Sequence, residues 1–228
     1  MPPQTSEPVP PARRTILIVD DHALLRRGLT SLIESEPDLV VCGEAASCWA
    51  ALDAIRESPP DLVIVDLALE GSDGLDLVKE MKRHHPDIPA LVLSMHDEAV
   101  YAVRALRAGA RGYVTKQQLD ETLLVAIRRL LAGETHMSAT LEARLAARFI
   151  AGQTLGTDSP MDALSDRELQ VFRLIGQGRS TRQIAIALYL SIKTIESHRE
   201  HIKQKLGLES TAELAQRATQ WVETGRAG

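Results

Sequence analysis

The chain has 228 residues, 44% of them hydrophobic, 25% charged and 3% aromatic, which excludes a disordered chain and is enough for two cores at about 100–200 residues per domain. No apolar run approaches the roughly 18 residues a bilayer requires, and the proline-rich start lacks the apolar core of a signal peptide, so no membrane span and a cytoplasmic location are expected. The formal net charge of −5 is uneven: up to residue 159, 16 Lys and Arg face 23 Asp and Glu, whereas beyond it 10 face 8, so an acidic front half precedes a mildly basic tail half.

Residues 1–13 form a compositionally biased tail, expected to be disordered. From residue 14 to 132, short apolar runs at 16–19, 39–42, 62–65, 90–93 and 112–115 predict five strands separated by amphipathic helical stretches. Near-continuous apolar strands imply a parallel sheet buried on both faces, hence a doubly wound α/β layer of flavodoxin-like type. Cys42 and Cys48 are the only cysteines, too few for a zinc site or a disulfide framework, and are expected to be free thiols.

In such sheets the ligand crevice lies beyond the carboxyl ends of the strands. Asp20 and Asp21 follow the first strand, Asp66 the third, Ser94 the fourth and Lys116 the fifth. Carboxylates crowded in one crevice raise each other's pKa unless a cation neutralises them, and an all-oxygen set suits Mg²⁺. A hydroxyl and an ammonium beside them would grip phosphoryl oxygens.

Residues 18–22 (IVDDH), 62–67 (LVIVDL), 93–94 (LS) and 109–116 (GARGYVTK) together resemble the receiver domain of two-component response regulators. The resemblance implies Asp66 as phosphoacceptor and Mg²⁺ held by Asp20, Asp21, Asp66 and the Ala68 backbone carbonyl. It further implies Ser94 and Lys116 on the phosphoryl group, Tyr113 as switch aromatic, and a sensor histidine kinase as donor. Glu70 stands where the family usually has proline.

Residues 133–159 read as a linker with one helix at 138–150, followed by a breaker-rich stretch with the domain boundary near 155. Residues 160–225 carry four helical patterns, three opened by Ser/Thr-x-x-Glu/Gln boxes (Ser165 with Glu168, Ser180 with Gln183, Ser210 with Glu213) and one capped by Ser191. A short helix, a tight turn and a longer helix at 192–206 is the helix-turn-helix order. At about 100° per residue, Ile195, Ile202 and Leu206 fall on one side of that longer helix, and Lys193, Glu196, Ser197, Glu200 and Gln204 on the other.

Residues 164–168 (LSDRE), 178–185 (GRSTRQIA), 190–199 (LSIKTIESHR) and 202–208 (IKQKLGL) resemble the LuxR-type helix-turn-helix domain of the NarL/FixJ class. That resemblance implies a four-helix domain whose third helix enters the major groove of double-stranded DNA, with a homodimer on the operator. Lys193, Glu196, Ser197 and Glu200 are the expected base readers. Arg182, Thr194, His201, Lys203 and Lys205 are the further expected contacts, and Leu214, Ala218 and Trp221 of the last helix the expected pairing face.

The fold expected is therefore α/β followed by all-α. An enzyme, such as an aspartyl-phosphate phosphatase, would also use Asp66 as nucleophile, but enzymes of that kind carry an acid two residues later, where this chain has Ala68. A third reading, a binding module working by partner contact without phosphorylation, leaves the intact acidic set without a role.

Overall fold

A computed structural model of the chain describes residues 13–69, 72–95, 98–117, 119, 121–150 and 160–224. The tail up to residue 12, Glu70 and the breaker-rich stretch containing residue 155 lie outside the described residues.

The first unit alternates strands and helices: β1 (Arg14–Val19), α1 (Ala23–Glu34), β2 (Leu39–Ala45), α2 (Cys48–Glu57), β3 (Leu62–Asp66), α3 (Gly74–His84), β4 (Ala90–Ser94), α4 (Glu98–Ala108), β5 (Gly112–Thr115) and α5 (Glu121–Leu131). All strand pairs are parallel, in the order β2-β1-β3-β4-β5. The chain therefore winds one way from β1 to β2 and the other way from β3 onward, which opens a crevice above β1 and β3.

Side-chain alternation with period two divides the core between the two faces of the sheet. Leu17, Val19, Val63, Val65 and Val92 pack with α2, α3 and α4, whereas Ile16, Ile18, Leu62, Ile64, Leu91 and Leu93 pack with Leu29 and Ile33 of α1 and Leu123, Ile127 and Leu130 of α5. Every residue of β3 and β4 is buried, the reason their sequences carry no polar alternation. Asp66 and Ser94 are the last residues of their strands rather than the first beyond them, and β2 runs on to Ala45.

The sheet does not end cleanly at β5. His136 forms a parallel bridge with Gly112, its carbonyl accepting from the Tyr113 amide at 3.0 Å and its amide donating to Arg111 at 3.0 Å. Sequence reading placed no strand pairing after Gly133, because a single bridged residue has no periodicity to detect. Helix α6 (Ala139–Ile150) follows.

The second unit opens with a 3₁₀ turn (Pro160–Ala163) and comprises α7 (Asp166–Gly176), α8 (Thr181–Ala187), α9 (Ile192–Leu206) and α10 (Thr211–Thr224). Ser165 and Ser180 close both halves of their capping boxes, and Ser191 accepts from Thr194 N. The third box differs: Ser210 Oγ accepts from Glu213 N at 3.1 Å, but the Glu213 carboxylate turns to Glu209 N at 2.8 Å. Leu169, Phe172, Ile184, Ile195, Ile202, Leu214 and Ala218 fill the core, each with no exposed surface.

The last helix departs from expectation. Leu214 and Ala218 are wholly inside their own domain, and the Trp221 ring packs on Phe172 with centroids 5.7 Å apart. Leu214 and Ala218 are core and not a free pairing face, while Trp221 is half-buried at its edge. Gly176 belongs to the same packing: a Cβ there would lie 2.3 Å from the Ala218 carbonyl oxygen, so glycine lets α7 and α10 touch. Gly207, at φ +64°, supplies the left-handed residue that ends α9.

Candidate functional site

The crevice above β1 and β3 gathers the acids expected there. Donor atoms of Asp20, Asp21, His22 and Asp66 all lie within 4.8 Å of one another. Asp20 and Asp66 are 1% and 2% exposed, a depth at which carboxylates require compensation. Lys116 supplies part of it: its ammonium donates to Asp20 Oδ2 at 2.6 Å and Asp66 Oδ2 at 2.7 Å. Lys116 is itself anchored by its backbone amide, which donates to the Ser94 carbonyl at 2.8 Å.

Burial pushes the Asp66 carboxyl above the usual carboxylate range, against the pull of Lys116. Burial disfavours the Lys116 ammonium, but the Asp66 and Asp20 carboxylates outweigh it and hold its pKa above the ordinary value. Asp20 Oδ1 accepts from the His22 amide at 2.7 Å. His22 is the residue preceding α1 and makes no side-chain cap; its Nδ1 lies 2.6 Å from Asp21 Oδ1 without hydrogen-bond geometry.

The observation with most chemical content is what remains unsatisfied. Asp66 Oδ1 and Asp21 Oδ1 are buried and accept no hydrogen bond, an arrangement that costs about 1–3 kcal/mol per group and more for charged ones. Asp66 Oδ1, and Asp21 Oδ1 with only the His22 ring nitrogen at 2.6 Å beside it, lie in one small acidic cluster, a set that fits a hard divalent cation preferring oxygen ligands. His22, with its side chain 67% exposed, borders the cluster.

Of the remaining residues expected here, Ser94 is fully buried at the end of β4, whose Leu93 is the register partner of Asp66. Tyr113 points inward, 1% exposed. Ala68, just past Asp66, is exposed and lines the same cleft as Asp21.

In the second unit α9 leaves Lys193, Glu196, Ser197, Glu200 and Gln204 exposed while burying Ile195 and Ile202, as its winding predicted. Arg182 and His201 are also exposed, and Thr194 is half-buried with its amide on Ser191. Two expected phosphate contacts are engaged internally. Lys203 pairs with Glu200 at 2.9 Å and Lys205 with Glu168 at 2.7 Å. Glu168 is buried, which raises its pKa, but the Lys205 ammonium and the Ser165 amide and hydroxyl prevail and hold it below the ordinary value.

A parallel five-stranded sheet with acids at the β1 and β3 ends, followed by a four-helix domain with an exposed polar helix, matches two family models: a response regulator receiver domain over residues 16–128 and the LuxR family of bacterial regulatory proteins over residues 162–218. The oxygen regulatory protein NreC of Staphylococcus aureus is 37% identical over 207 residues, covering 89% of this chain and 95% of that protein. This chain is a response regulator of the NarL/FixJ class.

Solved structures agree in architecture. The response regulator RcsB of Salmonella typhimurium superposes with a TM-score of 0.63 at 27% identity, covering 92% of this chain and 98% of that one. An RcsB structure from Salmonella enterica serovar Typhimurium, bound to promoter rprA in the presence of phosphomimetic BeF3-, superposes with a TM-score of 0.60 at 28% identity, covering 91% of this chain and 98% of that one. A LuxR-family two-component response regulator from Aurantimonas sp. SI85-9A1 gives 0.56 at 35% identity over 61% of this chain and 99% of that one. In this response regulator the receiver and the LuxR-type DNA-binding domain follow one another in the order the sequence suggested.

Proposed function

We propose that Asp66 accepts a phosphoryl group from a phosphohistidine of a sensor kinase and that this modification governs DNA binding by a homodimer. What supports the phosphoacceptor assignment above all is the Asp66 carboxylate: one oxygen is held by Lys116 at 2.7 Å, while the other is buried without a partner in a cluster of acids. In the transfer the P–N bond to the donor imidazole breaks as a P–O bond to an Asp66 oxygen forms, giving an acyl phosphate and returning the imidazole. Little covalent help is needed from the protein; positioning and charge neutralisation are.

Asp20, Asp21 and Asp66, with the Ala68 carbonyl, would hold Mg²⁺, which when bound neutralises phosphoryl oxygens. Lys116, already between Asp20 and Asp66, is positioned to exchange its carboxylate partners for phosphoryl oxygens. Ser94 and Tyr113 are the side chains that would follow the new charge of roughly −1.5 to −2. The chain acts on this reading as a cytoplasmic transcription regulator and not as an enzyme; among the described residues no helix is long and apolar enough to cross a membrane.

On the DNA side, Lys193, Glu196, Ser197 and Glu200 form the base-reading set, since lysine donates to guanine and glutamate accepts from cytosine. Arg182, Thr194 and His201 flank it as phosphate contacts. Lys203 and Lys205 join them only by leaving Glu200 and Glu168, so they are the weakest members. Pairing of two copies would use exposed positions of α10 and the accessible edge of Trp221 rather than Leu214 or Ala218.

The direct test is intact-protein mass after incubation with acetyl phosphate and Mg²⁺. One added phosphoryl mass is expected in the native protein and none in Asp66→Asn; an equal adduct in the variant would remove Asp66 from the role.

A further inference from the structure

Helix α7 presents two polar residues one turn apart, Asp166 and Gln170, and both are spent on the receiver. Asp166 accepts from Arg104 Nη1 of α4 at 2.9 Å and from Lys79 Nζ of α3 at 2.8 Å. Gln170 Nε2 donates to Asp73 Oδ2 at 3.1 Å. Arg104 also donates to the carbonyls of Leu164 at 2.9 Å and Met161 at 2.6 Å, so one guanidinium grips the chain just where it enters α7.

Apart from Lys79, whose side chain is 45% exposed, these are not loose surface pairs of the kind that contribute little. The Arg104 side chain is 10% exposed, and Asp73 and Gln170 are buried. Losing one partner therefore strands a desolvated group.

Asp73 also belongs to the phosphoacceptor loop. Its other oxygen accepts from Leu75 N at 2.9 Å and caps α3. The next residue, Gly74, is packed so tightly beneath Asp66 that a Cβ would lie 2.0 Å from the Asp66 carbonyl oxygen, and its amide donates to Leu67 O at 3.0 Å. A shift of the Asp66 backbone is thus handed to Gly74 and Asp73 with no slack, and from Asp73 to Gln170. A cleft of about 400 Å³, lined by Leu69, Ser72, Gln170 and Leu174 among others, lies beside this contact.

We propose that Asp73 and Arg104 are the residues that couple Asp66 to the DNA-binding domain: through Gln170 and Asp166 they dock α7 on the receiver, and the phosphoryl group on Asp66 loosens that docking. The docked arrangement does not work by burying the reading residues, because Lys193, Glu196, Ser197 and Glu200 remain exposed in it. It holds the domain in one orientation through α7. The phosphoryl group acts on this contact through the backbone: a displacement at Asp66 reaches Gly74 and Asp73, and through Asp73 the hydrogen bond to Gln170. The inference rests on the phosphoacceptor reading above.

The experiment uses the full chain with a donor dye on the receiver and an acceptor on α10, in native protein, Arg104→Glu, Gln170→Glu and the exchange pair Arg104→Asp with Asp166→Arg. Both single variants are expected to lengthen the interdomain distance and to raise DNA affinity without phosphoryl donor by about tenfold, equivalent to about 1.4 kcal/mol. The exchange pair is expected to return both readings toward native values. Phosphoryl uptake on Asp66, read by mass, is expected to persist in all and reports a folded receiver. The coupling is overturned if uptake persists while distance and affinity stay native in both single variants, or if the exchange pair behaves like Arg104→Glu. Failure of phosphoryl uptake in the native protein would instead overturn the phosphoacceptor reading.

Discussion

Lys116 Nζ lies 2.7 Å from Asp66 Oδ2, a buried ion pair in which the lysine side chain is 6% exposed. The same ammonium holds Asp20 at 2.6 Å, so one cation balances two carboxylates that have almost no access to water. Removing one member of a buried pair costs about 3–5 kcal/mol, since the partner's charge is left uncompensated. Lys116→Met is therefore expected to destabilise the receiver by about that much in EDTA. Added Mg²⁺ should recover part of the loss. Thermal unfolding with and without the ion checks both statements; native stability in EDTA would show that the pair contributes little.

The Glu168 carboxylate serves two donors: the Ser165 amide at 2.7 Å, which completes the capping box, and Lys205 at 2.7 Å. Glu168→Ala removes half of the box and frees Lys205, and should cost the helical domain about 1–2 kcal/mol by the usual range for lost caps. Chemical denaturation followed by Trp221 fluorescence is the measurement. Because Lys205 is released by the change, DNA affinity should fall less than stability does.

Where two helices meet through a glycine, volume is the sensitive variable. A Cβ on Gly176 would stand 2.3 Å from the backbone oxygen of Ala218 and 2.7 Å from Val222 Cγ2. Gly176→Ala should destabilise the domain by about 1–3 kcal/mol, the usual penalty for overpacking. Gly178→Ala would meet no neighbour, but its φ of +78° makes it a backbone-strain control.

The interdomain contact should respond to pH through Asp73, whose pKa burial pushes up to about 7. The groups facing it are Asp76 and Lys79 on α3, Asp166 and Arg167 on α7, Cys48 on α2 and Tyr101 on α4. A carboxyl raised in the docked state and ordinary when released favours docking fully below its released value near 3.8, and loses that contribution as pH rises to about 7. The interdomain distance should therefore lengthen from acid toward neutral pH and level off above it, while Asp73→Asn should show little of this dependence. A native profile flat across that range would count against it.

Much of the site was legible in the residue order. A parallel sheet buries its strands on both faces and gathers its ligands at one edge, so Asp20, Asp66, Ser94 and Lys116 could be located from the apolar runs before them. The helical winding of α9 likewise separated Ile195 and Ile202 from Lys193, Glu196 and Glu200. Contacts between domains left no such trace. Arg104 and Asp166 are 62 positions apart and Asp73 and Gln170 97, and each alone reads as an ordinary polar residue on an amphipathic helix or a helix cap. The apolar stripe of α10 carried no information on whether it covers its own domain or a second copy; only packing against Phe172 and Gly176 decides that.

The central claim is that the chemical state of Asp66 sets DNA affinity. Binding to DNA selected by the full chain should be measured with and without acetyl phosphate and Mg²⁺, in native protein and Asp66→Asn. Phosphoryl donor is expected to tighten binding of the native protein by about tenfold or more, about 1.4 kcal/mol of coupling, and to leave the variant unchanged. An equal response in Asp66→Asn would contradict the account.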